Sequence, residues 1–256
     1  FGGLLPGFFA VLAGQSVDTP APYRLALWLG AAFGLVALLP LARLQTSEVD
    51  DEVLEFDVSV ERTFPLLPMT LLIVYVCFSQ AANATCQSFC SAYMDTELQL
   101  SPLAIGLITG AGQFFAIFAP LWGPRLAARH GNGWTMMMAT LGSALSLLPL
   151  ILITTWYGAG LGRFGTLMLG AMWMPALQVY QMELVDRRWR SLAYAAVSMA
   201  MGLSFGVTSY AGGYVADGWG YDSLFTMGMV LSIMGAAMLW GILKKPALMI
   251  ATGKVS

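Results

Sequence analysis

Long apolar stretches separated by short polar connections recur along the whole chain, and that alternation restricts the fold more than any single motif does. A bilayer core of about 30 Å is crossed by about 20 helical residues rising 1.5 Å each. A helix pairs its own backbone groups, so it is the natural way for such a run to lie in lipid. The sequence predicts spans at residues 4–13, 21–43, 65–93, 102–122, 133–155, 160–182, 192–215 and 221–243, the first of them too short to cross. That short opening run, headed by Phe1, is read as the end of a cut helix, so the chain is expected to be a fragment whose N-terminal half is missing.

Composition supports the same class. Of 256 residues, 58% are hydrophobic and 10% charged, more apolar surface than a soluble domain of this size would bury. A formal net charge of -2 gives no electrostatic reason to expect a nucleic-acid partner. Cys77, Cys86 and Cys90 fall in one apolar run with no CxxC spacing and no histidine, the pattern of small buried residues and not of a disulfide frame or metal site. His130, the sole histidine, stands in a loop without a partner. No nucleophile, metal cluster or acid pair suggests an enzyme, and no cofactor or metal is expected.

The one long segment too charged for lipid is 45–64, with Glu48, Asp50, Asp51, Glu52, Glu55, Asp57 and Glu61 against Arg62 alone. It is read as a solvated connector between two helical bundles. The expected organisation is 1–44 as the end of a first bundle, 45–64 as linker, 65–245 as a six-helix bundle and 246–256 as a tail.

If the spans alternate direction, Arg43, Arg62, Arg125, Arg129, Arg187, Arg188, Arg190, Lys244, Lys245 and Lys254 share one face, and only Arg24 and Arg163 fall on the other. Basic loops stay in the cytoplasm, so the linker and C-terminus are expected there, in a multi-pass protein of the plasma membrane. Arg187, Arg188 and Arg190 would fix topology and touch lipid phosphate, with Glu183 and Asp186 beside them as a second, ion-pair reading. Arg163 lies about a turn inside the outer end of its span, where it either snorkels to the interface or attracts an anionic solute. No Asp, Glu or Lys lies near the middle of a span.

The most pronounced polar signal is Gln80, Asn83, Gln87 and Ser91, spaced by three and four residues and therefore on one helical face. Amides facing hydrocarbon are costly, so this face meets water, a solute or other helices. It lines a cavity for a neutral or weakly polar solute, or it holds helices together; the sequence leaves both open. Gln113, and Gln178 with Gln181, are candidates for the same space, and Trp173 and Met174 for an apolar wall. A weak internal repeat adds to this: Gly2-Gly3, an outer loop, Tyr23-Arg24 and a helix ending at Arg43 are matched in order by Gly212-Gly213, a loop, Tyr221-Asp222 and a helix ending at Lys244-Lys245.

Three stretches carry a resemblance. Residues 121–131, LWGPRLAARHG, resemble a GxxxDRxGRR loop: Arg129 and Gly131 match, Ala128 replaces the acid, Pro124 the first glycine, and Asn132-Gly133 the trailing basic pair. Residues 175–195 and the run Gly212-Gly213-Tyr214 to Leu224-Phe225 are the other two. In order and spacing they resemble the major facilitator superfamily, an all-α membrane fold of twelve helices in two six-helix halves. The resemblance implies a chain running from the end of the fifth helix through the twelfth. It implies secondary transport of a small solute by alternating access, with proton or ion coupling open, and lipid and the missing N-terminal half as partners. The seventh, eighth, tenth and eleventh helices would line the cavity, and a gating role for Arg129 loses its acid partner. A non-transporting sensor or receptor on the same fold is the alternative.

Overall fold

The computed structural model describes residues 65–244 and, before them, residues 24, 27–29, 31, 32 and 35, all seven of these helical. The expected run 4–13, the acidic connector 45–64, the tail 246–256 and most of the expected span 21–43 lie outside the described residues. The chain divides into two compact units, Phe1–Thr63 and Phe64–Ser256. The second is wholly helical bundle, with no strand among its described residues.

Helix α1 (Leu66–Ser79) and α2 (Ala81–Thr96) form one 31-residue span interrupted at Gln80. Ser101 accepts the Ala104 N–H and Pro102 opens α3 (Pro102–Ala116), a standard start in which proline occupies a position whose N–H has no helical partner. Helix α4 (Ala119–His130) continues it after a bend of 41°. Pro120 explains the bend: it has no N–H to donate and its ring crowds the carbonyl four residues back, at Ala116. Pro149 separates α5 (Asn132–Leu145) from α6 (Leu148–Leu152) in the same way, within one 21-residue span.

Helix α7 (Trp156–Leu184) has 29 residues, long enough to cross a bilayer. It is less apolar than the other long helices, diluted by glycines and by Arg163, Gln178 and Gln181. After a 3₁₀ turn at Arg187–Trp189 comes α8 (Arg190–Lys244), 55 residues broken at Gly220. There φ is 81° and ψ 169°, a region open essentially to glycine, which turns the chain between arms 190–219 and 221–244. Among the described residues three helices qualify as membrane-crossing by length and apolarity alone, and four with the bent α3–α4 pair counted as one; the two arms of α8 enter that count as a single helix.

The core has two centres. Tyr75, Val76, Met136, Trp173, Leu177, Val197 and Leu239 bring α1, α5, α7 and both arms of α8 together. Cys86, Cys90, Tyr93, Met94, Leu147, Leu150, Ala159 and Phe225 form the other around α2. Tyr93 meets Phe225 edge-on with ring centroids 5.4 Å apart. Glycine permits the tightest approach: a Cβ on Gly162 would collide with Leu150 Cδ1 and come within 2.9 Å of the Ser146 carbonyl, so α7 lies directly on the α5–α6 junction.

Candidate functional site

The break at Gln80 redistributes backbone hydrogen bonds, and the residues that receive them come from elsewhere in the fold. The Gln80 N–H still donates to Val76 O (3.1 Å), and the Ala84 N–H donates to Gln80 O (2.8 Å). Between them, the Ala82 N–H leaves its helical direction and donates to Ser232 Oγ at 2.8 Å. The Ser232 hydroxyl faces the Ser79 and Phe78 carbonyls at 3.3 and 3.4 Å. Ser204 Oγ donates to Cys77 O at 2.7 Å. Two serines, one on each arm of α8, thus supply what an unbroken helix would supply to itself.

This break divides the polar face. Gln80 and Asn83 are each 6% exposed, inside the bundle. The Asn83 amide lies over Gly170 of α7, where a Cβ would stand 3.0 Å from its Oδ1. Gln87 is exposed and Ser91 half-buried. Ser88, beside Gln87 and also exposed, shares a 2.8 Å hydrogen bond with Ser209 on the first arm of α8. The face is therefore packed at its inner end and open at Gln87, and the open part continues onto α8.

The other candidates fall in different places. Gln113 is exposed on α3 and Gln178 half-buried on α7; no hydrogen bond ties either to the α2 face. Trp173 is in the core, 3% exposed, where Nε1 donates to Tyr75 Oη at 2.9 Å. Tyr75 Oη in turn shares a 2.7 Å bond with Thr140 Oγ1, which makes a buried polar chain across α7, α1 and α5. Met174 is exposed. Gln181 is buried and its Oε1 has no hydrogen-bond partner.

Two residues beyond Gln181, in the last turn of α7, Glu183 Oε1 accepts from Asn132 Nδ2 at 2.9 Å. Asn132 opens α5, immediately after the turn made by Gly131 at φ 89°. Arg129, in the last turn of α4, is exposed, as are Asp186, Arg187, Arg188 and Arg190. The Arg188 guanidinium lies 5.5 Å from the centre of the Trp189 ring.

Arg163 does not snorkel. It is 7% exposed and Nη1 donates to the Cys86 carbonyl at 2.6 Å. Thr166, a turn further along α7, donates to Cys86 Sγ at 3.1 Å. Sequence reasoning passed over Tyr75, Thr140, Ser204 and Ser232. Each is a hydroxyl within an apolar run, the one signal that was available. Among the described residues no group of three His, Cys, Asp or Glu side chains is placed to hold a metal.

The Major Facilitator Superfamily profile matches residues 71–253. No curated protein matches the chain. Among solved structures, the in meso crystal structure of the POT family transporter PepTSo is similar with a TM-score of 0.61 at 15% sequence identity, over 71% of this chain. The match spans 38% of the PepTSo chain, so it is a likeness of fold over part of that protein.

Proposed function

Because the chain belongs to the major facilitator superfamily, we propose that it is part of a secondary transporter that moves a small solute across a membrane by alternating access. On this reading residues 65–245 are the C-terminal six-helix half, and the residues before the acidic connector end the N-terminal half. The connector and the C-terminus are cytoplasmic, and the membrane is the plasma membrane. The described spans carry no acid at their centres, so a coupling carboxylate, if the transport is proton-driven, belongs to the other half.

The observation that carries this reading is the open polar surface at Gln87 and Ser88 on a broken helix, joined through Ser88 to the half-buried Ser209 of α8. Gln87 lies nine residues before the end of α2 at Thr96, which is about 13 Å along the axis and close to mid-bilayer. Polar groups at that depth need a water-filled or solute-filled space, and broken helices characteristically border one in carriers.

The test is uptake or efflux by the full-length protein in proteoliposomes. Replacing Gln80, Asn83 and Gln87 together with Ala is expected to lower flux at least tenfold with membrane abundance unchanged. Unaltered flux would remove the site. Vesicles that move no solute under any gradient would favour the sensor reading.

A further inference from the structure

Asn83 and Gly112 belong to different helices, yet both seat on the same stretch of α7. The Asn83 amide of α2 lies over Gly170, and a Cβ on Gly112 of α3 would stand 3.0 Å from Leu167 Cδ1. Leu167 and Gly170 are three residues apart, so they share one side of α7 and lie about 4.5 Å apart along its axis. That side of α7 is a floor, with α2 and α3 as its flanks.

Gln87 is one helical turn from Asn83, and Gln113 is the residue after Gly112. Both are exposed, and neither side chain has a hydrogen-bond partner among the described residues. Gln113 is eleven residues, about 17 Å, into α3 from Pro102, at hydrocarbon depth like Gln87. One turn before it, Thr109 has a buried Oγ1 without a partner, and Gly110 has open space around it. The large exposed apolar residues Leu103, Leu107 and Phe114 recur at steps of four and seven, on a separate edge of α3. An amide facing lipid at that depth is costly, so the edge at Gln113 meets water or a solute, as Gln87 does. Arg163, the one charged side chain at this depth among the described residues, is enclosed between α2 and α7 with Nη1 on the Cys86 carbonyl. What these helices leave open to a solute is neutral.

We infer that Gln87 and Gln113 hold opposite edges of the transported solute across the α7 floor, and that the solute is uncharged with hydrogen-bonding groups on both edges, a sugar or a cyclic amide. A primary amide donates and accepts at once, so each glutamine can pair with neighbouring hydroxyls or with an adjacent N–H and C=O. A charge held between them would find no counter-charge on these helices. The inference rests on the transporter reading and adds Gln113 and a solute class to its site.

The test uses the full-length protein in nanodiscs. Gln87→Cys and Gln113→Cys are each expected to react with a water-soluble methanethiosulfonate about tenfold faster than Leu107→Cys, measured above the wild-type background. In the double variant a bis-methanethiosulfonate is expected to bridge the two positions, read as a single linker mass per chain. An unreactive residue 113, or two separate adducts in place of a bridge, would overturn the pairing.

For the solute class, glucose is compared with gluconate and glucosamine, and uracil with orotate. Glucose or uracil is expected to raise the unfolding midpoint with its charged relatives inert, which also tells a sugar from a cyclic amide. Gln113→Ala, at an exposed position, is expected to fold normally and to weaken that binding about fivefold, the loss of one neutral hydrogen-bonding contact. No shift from either neutral compound, or a charged relative that binds as tightly, would overturn the class. Binding unchanged in Gln113→Ala would remove that residue from the site. Glutamine-dependent binding without flux would remove transport and keep the recognition site, whereas flux unaffected by Gln113→Ala would do the reverse.

Discussion

Ser232 Oγ accepts the Ala82 N–H at 2.8 Å, and by doing so it takes the place of a carbonyl that the break at Gln80 has moved out of reach. Both residues are buried, Ser232 and Ala82 each at 0% exposure, so water cannot substitute. The interruption in the α1–α2 span is therefore held by a side chain 150 residues away in sequence.

Ser232→Ala should leave the Ala82 N–H without a partner and cost about 1–2 kcal/mol of stability, toward the upper end of what single polar contacts contribute in membranes. Hydrogen exchange in peptides covering residues 78–86 should quicken in parallel. Ser232→Thr, which keeps the hydroxyl, should restore most of both. An alanine variant with wild-type exchange at these amides would show that the serine holds nothing.

Gly162→Ala places a methyl against Leu150 and the Ser146 carbonyl, and the α7 backbone must shift to admit it. The expected loss is about 1–3 kcal/mol, read as a lower unfolding midpoint. Gly241→Ala is the control, since open space surrounds that position and alanine is the better helix former. Equal midpoints for the two variants would contradict the close approach of α7 to the α5–α6 junction.

Gln87 and Asn83 should separate stability from activity. Gln87 is exposed, so Gln87→Ala is expected to change stability by less than about 0.5 kcal/mol while lowering flux. Asn83→Ala removes an amide packed on Gly170 and is expected to lower both, with about 1 kcal/mol lost. A Gln87→Ala protein with normal stability and normal flux would move the site elsewhere.

Most of the membrane-crossing helices were legible because length and apolarity report them, α7 least so because of its glycines and Arg163, and the bends at Pro120 and Pro149 follow from a missing N–H. The break at Gln80 was not. Residues 65–93 read as one apolar run because hydropathy does not register which group a backbone N–H bonds to, and the bonding depends on Ser232 and Ser204, remote in sequence. The spacing of Gln80, Asn83, Gln87 and Ser91 identified a shared face, but not that α7 would cover its inner end through Gly170. Trp173 stood out as an aromatic at cavity depth, and its placement in the core rests on the Tyr75 hydroxyl, a partner 98 residues distant. Arg163 looked close enough to the outer end to reach water; the neighbouring Cys86 carbonyl, contributed by another helix, draws it inward.

The corner at Gly220 consists of a single residue, so the two arms of α8 have no slack between them. Ser204 sits on one arm and Ser232 on the other, and both clasp the same interruption in α1–α2. Three lengths of helix are thereby fastened as a stiff tripod. In a rocking carrier such a unit would travel whole, leaving the sliding surfaces to be sought at its rim.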